Sequence, residues 1–398
     1  MQRRFFLVFI TMLMLCNPYP GLCSVKNDNI VTGAEQTAKY VPGLKGKKVG
    51  LLINQTSVIG DKLLLDVLLE KGVNVVKIFV PEHGFRGTAD AGAHVDNTVD
   101  KQTGLPIISL YGNNKKPNAE QLKNVDVLIY DLQDVGARFY TYISTLQYAM
   151  EACADNGKKI VVLDRPNPNG FYVDGPVLDK QLHSFVGMQP IPVVYGMTAG
   201  EYAKMLVGEQ WLASEKTPDL EVIPCGNYDH TKRYSLPVPP SPNLKTMAAI
   251  YLYPSLCFFE GTPVSVGRGT AMPFQQWGSP VFKENTTYSF TPQSTTGATK
   301  PMLEGKECYG KLLAKDADEA LDKMNGQLNL EWLVQAYKWY PEKDKFFTDF
   351  FEKLAGNNQL REQIDNGLSA AEIRASWQKD LIAFKKIRRK YLLYSDFE

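Results

Sequence analysis

Short, nearly continuous apolar runs recur through the first half of the chain. They occupy residues 49–53, 73–80, 105–110, 125–130 and 160–163. Runs this short and this apolar are typical of parallel strands that are covered on both faces. The pattern therefore predicts a buried, mainly parallel sheet.

Helical patterns separate most of these runs. Residues 61–71 and 142–156 carry apolar residues at helical spacing, and each pattern stops before a glycine, which commonly ends a helix. Thr198 and Glu201 have the spacing of a capping box and indicate a further helix that runs to about Trp211. Alternating strands and helices predict the α/β class, with a Rossmann-like, doubly wound sheet.

The sequence pattern changes after residue 235, where the alternation of apolar runs and helical patterns ends. A proline-rich stretch at residues 236–243 is a candidate crossing between domains, and helical patterns follow at 328–340, 342–354 and 370–391. A chain of 398 residues also exceeds the usual size of a single hydrophobic core. We predict a Rossmann-like catalytic domain over residues 24–235 and a smaller α+β domain over residues 236–398.

The N-terminus has the three regions of a secretory signal. Two arginines precede the apolar run 5–15, and prolines and small residues follow it. We expect residues 1–23 to be a signal peptide and the mature protein to start near Ser24, exported to the periplasm. Lipoprotein anchoring through Cys16 or Cys23 is the alternative, although the leucine before each differs from the small residue that such signals prefer.

Composition and motifs exclude several classes of function. Lys plus Arg total 44 against 43 Asp plus Glu, so the net charge of +1 gives no case for a nucleic-acid or anionic-membrane partner. The turn at residues 54–57 lacks the glycine pattern of a dinucleotide site, so no cofactor is expected. The other four cysteines lack the paired spacing of a zinc knuckle and leave zero to two disulfides open.

Polar side chains follow every predicted strand. In chain order they are Asn54 and Gln55; Glu82, His83 and Arg86; Tyr111; Asp131, Asp134 and Arg138; and Asp164, Arg165 and Asn167. The carboxyl ends of parallel strands share one edge of a sheet, which is where ligands bind in open α/β folds. The segment 131–141 combines such groups with aromatic residues, so carbohydrate is the leading ligand class.

Other interpretations of these residues exist. Asp134 and Arg138 have the spacing of a local salt bridge on a helix. His83, His94, Asp96 and Asp131 could be gathered around a metal, but they lack a compact ligand spacing, so we predict no metal site.

Several motifs follow one another in order along the chain. They are Pro-Glu-His-Gly-Phe-Arg-Gly at 81–87, the segment 131–141, Asp-Arg-Pro-Asn-Pro at 164–168, Asp-Gly-Pro at 174–176, Pro-Ser-Pro-Asn at 240–243, Glu-Gly-Thr at 260–262 and Gly-Arg-Gly-Thr at 267–270. With these motifs the chain resembles the bacterial exo-acting β-N-acetylmuramidases (NamZ-like), formerly a family of unknown function. The resemblance runs from about Val31 to the C-terminus. It implies an active site in the cleft between two domains and release of terminal N-acetylmuramic acid from peptidoglycan-derived disaccharides or muropeptides.

This sequence departs from the family pattern at two places. Val194 and Tyr195 precede Gly196 where relatives carry an Arg-His pair, and Pro263 stands where Asn is usual. Both differences bear on the preference for the leaving group or for a subsite.

Glycoside hydrolysis usually needs two carboxyl groups on opposite sides of the bond. We assign Glu82 as the general acid and either Glu260 or Asp131 as the second carboxylate; alternatively, the sugar's own acetamido group attacks the anomeric carbon. One of Arg268, Arg138 and Arg165 is expected to grip the lactyl carboxylate, since a bidentate arginine suits that group.

The full set of predicted substrate-binding residues is larger. It comprises Asn54, His83, Arg86, Gln133, Asp134, Arg138, Tyr140, Asp164, Arg165, Asn167, Asn243 and Arg268. Two other classes remain open at this stage: a non-catalytic exported sugar- or cell-wall-binding protein, and a metal-dependent peptidoglycan amidase.

Overall fold

A computed structural model describes residues 30–82, 84–85 and 98–398. Its strands are β1 (Val49–Ile53), β2 (Val58–Ile59), β3 (Lys62–Leu63), β4 (Val75–Val80), β5 (Thr98–Val99), β6 (Pro106–Ser109), β7 (Val127–Asp131), β8 (Lys159–Leu163), β9 (Asp219–Ile223), β10 (Gln276–Ser279), β11 (Ser289–Phe290) and β12 (Cys308–Leu312). Its α-helices are α1 (Thr37–Tyr40), α2 (Leu64–Glu70), α3 (Ala119–Leu122), α4 (Tyr142–Asp155), α5 (Ala199–Gly208), α6 (Met247–Leu256), α7 (Ala317–Met324), α8 (Glu331–Trp339), α9 (Phe351–Ala355), α10 (Gln359–Asp365), α11 (Ala370–Ser376) and α12 (Gln378–Arg388).

The central sheet has the strand order β5-β6-β4-β1-β7-β8-β9 within the described residues. Every neighbouring pair is parallel except β5 with β6, so the predicted α/β class and parallel sheet are confirmed. The five apolar runs form β1, β4, β6, β7 and β8. After β1 the chain adds β4 and β6 on one side of this strand, and it then adds β7, β8 and β9 on the other side. The strand order therefore reverses between β1 and β7, and an open α/β sheet forms its binding crevice at such a switch point.

The two faces of the sheet contribute to different hydrophobic cores. Side chains alternate between faces along a strand, so Val49, Leu51 and Ile53 pack with α2 in one core while Leu52 joins the other. The second core covers α4 and continues without a break into α6 and the C-terminal helices. The C-terminal part is therefore packed against the sheet domain through a shared apolar interior.

The C-terminal part contains a three-stranded antiparallel sheet in the order β10-β12-β11 and the helices α7 to α12. The smaller second part is as predicted, but a continuous helix over 342–354 is wrong. Phe346 and Phe347 turn inward onto Tyr337, and only the short helix α9 forms after them. The boundary at residues 235 and 236 stays a prediction.

Two further features constrain the molecule. Cys153, Cys225, Cys257 and Cys308 are all buried and free, so none of them forms a disulfide. Across the described ranges, no helix has both the length and the apolar character needed to cross a membrane.

Candidate active site

A cavity of about 630 Å³ lies where the carboxyl ends of the sheet strands face the C-terminal part. One wall carries Glu82 after β4, Tyr111 after β6, and Tyr140 and Thr141 before α4. The facing wall carries Glu260, Arg268, Phe274, Gly297, Ala298, residues 300–302, Phe350 and Lys353. The volume falls in the range of about 300 to 1,000 Å³ that is usual for small-molecule sites.

Glu82 is the acidic group on the sheet side of the cavity. Its Oε2 accepts a hydrogen bond of 2.9 Å from the Thr141 hydroxyl. The Tyr111 hydroxyl also hydrogen-bonds this carboxyl group, and burial together with the nearby Glu82 charge raises the pKa of Tyr111. Two side chains from different loops therefore fix the orientation of Glu82 at the cavity wall.

Glu260 is the acidic group on the facing side. The Arg268 guanidinium approaches Glu260 Oε1 through Nε at 2.8 Å and Nη2 at 2.5 Å, and it lies 4.9 Å from the centre of the Phe274 ring. Burial opposes ionisation of Arg268, but the Glu260 carboxylate raises the pKa of the guanidinium overall. The pair places a fixed carboxylate and a cation side by side in the cavity.

Buried amides hold the walls in place. The Asn54 side chain donates to the Tyr142 hydroxyl at 2.8 Å, and Tyr142 and Tyr140 both donate to the carbonyl of Pro240. The Asn243 side chain donates to the carbonyl of Gly297 at 2.8 Å. Of the three predicted binding residues Asn54, Tyr140 and Asn243, Tyr140 lines the cavity. Asn54 and Asn243 do not line it; they hydrogen-bond the residues that do or the residues next to them.

Asp131 and Arg165 lie in the interior and are not among the residues that line the cavity. Arg165 Nε and Nη2 contact the two oxygens of Asp131 at 2.6 and 2.9 Å, and both side chains are buried. Burial raises the pKa of Asp131, and the ion pair with Arg165 opposes that shift. The geometry favours a structural role for both, and Glu260 is the acidic side chain besides Glu82 that lines the cavity.

Arg138 is buried and joins the two parts of the chain. Its guanidinium donates to the carbonyls of Pro176 and Ile191 in the sheet domain, and to those of Leu354 and Ala355 at the end of α9, over 2.7 to 2.9 Å. Burial lowers its pKa to about 9, so it stays charged at neutral pH. Arg138 contacts backbone oxygens here, not the cavity, and forms no salt bridge with Asp134 among the described contacts.

The remaining predicted residues also belong to buried networks. Asp134 accepts hydrogen bonds from Tyr195 and the Gly136 amide, and Gln133 donates to the carbonyls of Asp134 and Pro166. Asp164 accepts from Thr198, Tyr394 and the Gly200 amide, and Asn167 donates to the carbonyl of Met197. His83 and Arg86 lie outside the described residues.

The buried carboxyls Asp134 and Asp164 predict a pH-dependent stability. Burial raises the pKa of each from 3.8 to about 6, so the folded state holds protons that the unfolded chain has released. The free energy of unfolding should therefore fall as pH rises from about 4 to 6, by up to about 3 kcal/mol for each group. Asp134→Asn should flatten this slope in denaturant titrations, and the exposed Asp322→Asn should not; equal slopes in all three proteins would contradict the assignment.

Several cavity residues were missed by the sequence reasoning. Lys115, Phe185, Tyr253, Phe274 and Phe350 line the cavity but lie outside the quoted motifs, on loops or helices. Tyr111, by contrast, was identified in the sequence as a polar residue at a strand end.

Within residues 30–82, 84–85 and 98–398, no group of three or more His, Cys, Asp or Glu side chains is placed to hold a metal ion.

Two carboxyl groups in one aromatic-lined cavity, at the carboxyl ends of a Rossmann-like sheet, fit the class of carbohydrate-cleaving hydrolases. Comparison with known proteins gives the family. The profiles described as exo-beta-N-acetylmuramidase NamZ, N-terminal and C-terminal, match residues 49–248 and 251–394. The chain belongs to this family of glycoside hydrolases.

Relatives match along nearly the whole chain. The peptidoglycan beta-N-acetylmuramidase NamZ of Bacillus subtilis (strain 168) is 38% identical, with 99% of this chain and 100% of the relative covered. Two crystal structures of DUF1343 family proteins from Bacteroides fragilis NCTC 9343 match with TM-scores of 0.86 and 0.76, at 50% and 30% identity. Each covers 92% of this chain and 99% of its own, so the fold of both parts is shared.

Proposed function

We propose that this protein releases N-acetylmuramic acid from the non-reducing end of peptidoglycan fragments by hydrolysing its β-1,4 bond to N-acetylglucosamine. The observation that carries the proposal is the placement of Glu82 and Glu260 in one cavity, from the sheet domain and the C-terminal part respectively. A bond held between them has a carboxyl group from each wall, as glycoside hydrolysis requires.

Glu82 acts as the general acid in this proposal. It donates its proton to the glycosidic oxygen as the bond to the anomeric carbon breaks, and Thr141 and Tyr111 keep its carboxyl group oriented. A water molecule then bonds to the anomeric carbon and returns a proton to Glu82. Glu260 is the second carboxylate, held by Arg268, and stabilises the positive charge that develops on the sugar or orients its acetamido group.

We assign Arg268 to the lactyl carboxylate of the muramyl sugar. Of the three arginines considered, Arg268 lines the cavity, where it also pairs with Glu260, whereas Arg138 and Arg165 bind partners in the interior. A guanidinium offers a planar fork of donors that lysine lacks. Arg268→Lys should lower the ratio of kcat/KM for muramyl over N-acetylglucosaminyl substrates by about tenfold. The exposed Arg389→Lys is the matched control, and an unchanged ratio in Arg268→Lys would reject the assignment.

A single incubation tests the activity. The chain from Ser24 onward is mixed with the disaccharide N-acetylmuramic acid β-1,4 N-acetylglucosamine, with and without chelator, and the products are identified by mass spectrometry. Release of both monosaccharides with or without chelator supports the proposal. An intact disaccharide that still binds points to a sugar-binding protein, and chelator-sensitive cleavage of an amide points to an amidase.

We also propose that the protein is exported and acts in the periplasm. The support is the order of charged, apolar and small residues over positions 1–23, which is typical of a secretory signal. In the periplasm the protein would meet peptidoglycan fragments, which are its proposed substrates. Fractionation of cells that express the full chain, with detection of the protein in the periplasmic fraction, tests the proposal; retention in the cytoplasm would contradict it.

A further inference from the structure

The mouth of the cavity carries exposed apolar side chains. Met302 is 43% exposed and Phe350 is 39% exposed, and both belong to the lining of the cavity. By contrast, Phe274 and Leu244, which line the same cavity, are 1% exposed and therefore lie at its closed end. Most large apolar side chains in the described part of the chain are buried, so an exposed pair that continues a sugar-binding cavity indicates a contact surface.

Two lysines stand beside this apolar pair. Lys300 lies two residues before Met302. Lys353 lies in the first turn of α9, three residues after Phe350, which is the N-cap residue of that helix. Both lysines are exposed and line the cavity. The mouth therefore combines an aromatic face with positive charge, which suits a sugar ring that carries a carboxylate.

The backbone under these side chains is held in place. Thr295 and Ala298 exchange two backbone hydrogen bonds, and Asn243 binds the carbonyl of Gly297. On the other side, Arg138 binds the last carbonyls of α9, directly behind Phe350 and Lys353. A surface that is ordered before binding loses less conformational entropy when a ligand settles on it.

We propose that Met302 and Phe350, with Lys300 and Lys353, form a further subsite for the leaving side of the glycan. This inference rests on the proposed function. An enzyme that removes a terminal sugar takes that sugar at the closed end of its cavity, so the rest of the strand must leave through the mouth. The residue beyond the first N-acetylglucosamine is again a muramyl sugar, whose ring stacks on Phe350 and whose lactyl carboxylate meets the lysines.

The dependence of cleavage on chain length tests this subsite. The measurement is kcat/KM for the peptide-free disaccharide and for the peptide-free tetrasaccharide made of two such units, both with a muramyl sugar at the non-reducing end. We expect the wild-type protein to prefer the tetrasaccharide by about tenfold. Phe350→Ala and, separately, Lys353→Gln should each lower this ratio several-fold, whereas Ile382→Ala, an exposed apolar residue 57% accessible on α12, should not.

The outcomes separate the subsite from the activity itself. Failure of the wild-type protein to cleave either substrate overturns the proposed function. Cleavage of both with equal kcat/KM, or a length preference that survives both substitutions, overturns the subsite while leaving the function intact. Loss of the preference in Phe350→Ala but not in Lys353→Gln overturns the recognition of the carboxylate by Lys353.

Discussion

Glu82→Gln is expected to lower kcat for the muramyl disaccharide by about a thousandfold, with little effect on the fold. Glutamine keeps a side-chain oxygen that can accept the hydrogen bond from Thr141, but it has no acidic proton for the leaving oxygen. Loss of a general acid typically costs between about 10² and 10⁴ in rate. The measurement is initial-rate kinetics on the disaccharide, with circular dichroism to verify that the variant is folded.

A second Glu→Gln change serves as the matched control. Glu70 is an exposed residue of α2 that pairs with Lys62, away from the cavity. Glu70→Gln should keep the kcat of the wild-type protein. If Glu82→Gln retained more than about a tenth of the wild-type kcat, Glu82 would not be the proton donor and the assignment would have to move to another group.

Asp131→Asn is expected to destabilise the protein by about 3 to 5 kcal/mol. The change leaves the Arg165 guanidinium buried with its charge uncompensated, and removal of one partner from a buried ion pair has this cost. The variant should therefore unfold at a lower denaturant concentration. The measurement is chemical denaturation followed by circular dichroism at neutral pH.

The exposed pair of Lys62 and Glu70 provides the comparison. Its atoms are 2.7 Å apart, but both side chains are more than half exposed, so Lys62→Met should change the stability by less than about 1 kcal/mol. If Asp131→Asn had an equally small effect on unfolding, the pair of Asp131 and Arg165 would not stabilise the interior. A role for Asp131 in the cavity would then have to be reconsidered.

The sequence predicted the sheet well because its strands are buried on both faces. Residues such as those of β1 and β7 have apolar neighbours above and below, so their sequences are continuous apolar runs. β9 was not predicted, because three of its five residues are half-buried and two of the five carry charged side chains. The helix over 342–354 failed because aromatic packing, rather than helical periodicity, determines the path of Phe346 and Phe347.

The candidate site was predicted only in part, for a related reason. The sequence places polar groups at the ends of strands, but it does not say whether a side chain faces the cavity or the interior. Glu82 faces the cavity, whereas Asp131 and Asp164 at equivalent strand ends bind partners inside the protein. The facing wall comes from segments distant in sequence, and tertiary packing alone brings Phe350 to the cavity.

The most direct test is a crystal structure of Glu82→Gln with the muramyl disaccharide bound. We expect the disaccharide in the cavity, with its glycosidic oxygen about 3 Å from the side-chain amide at position 82. We also expect Glu260 on the opposite side of the scissile bond and Arg268 against the lactyl carboxylate. A disaccharide bound elsewhere, or a glycosidic oxygen turned away from position 82, would contradict the proposal that Glu82 and Glu260 form the catalytic pair.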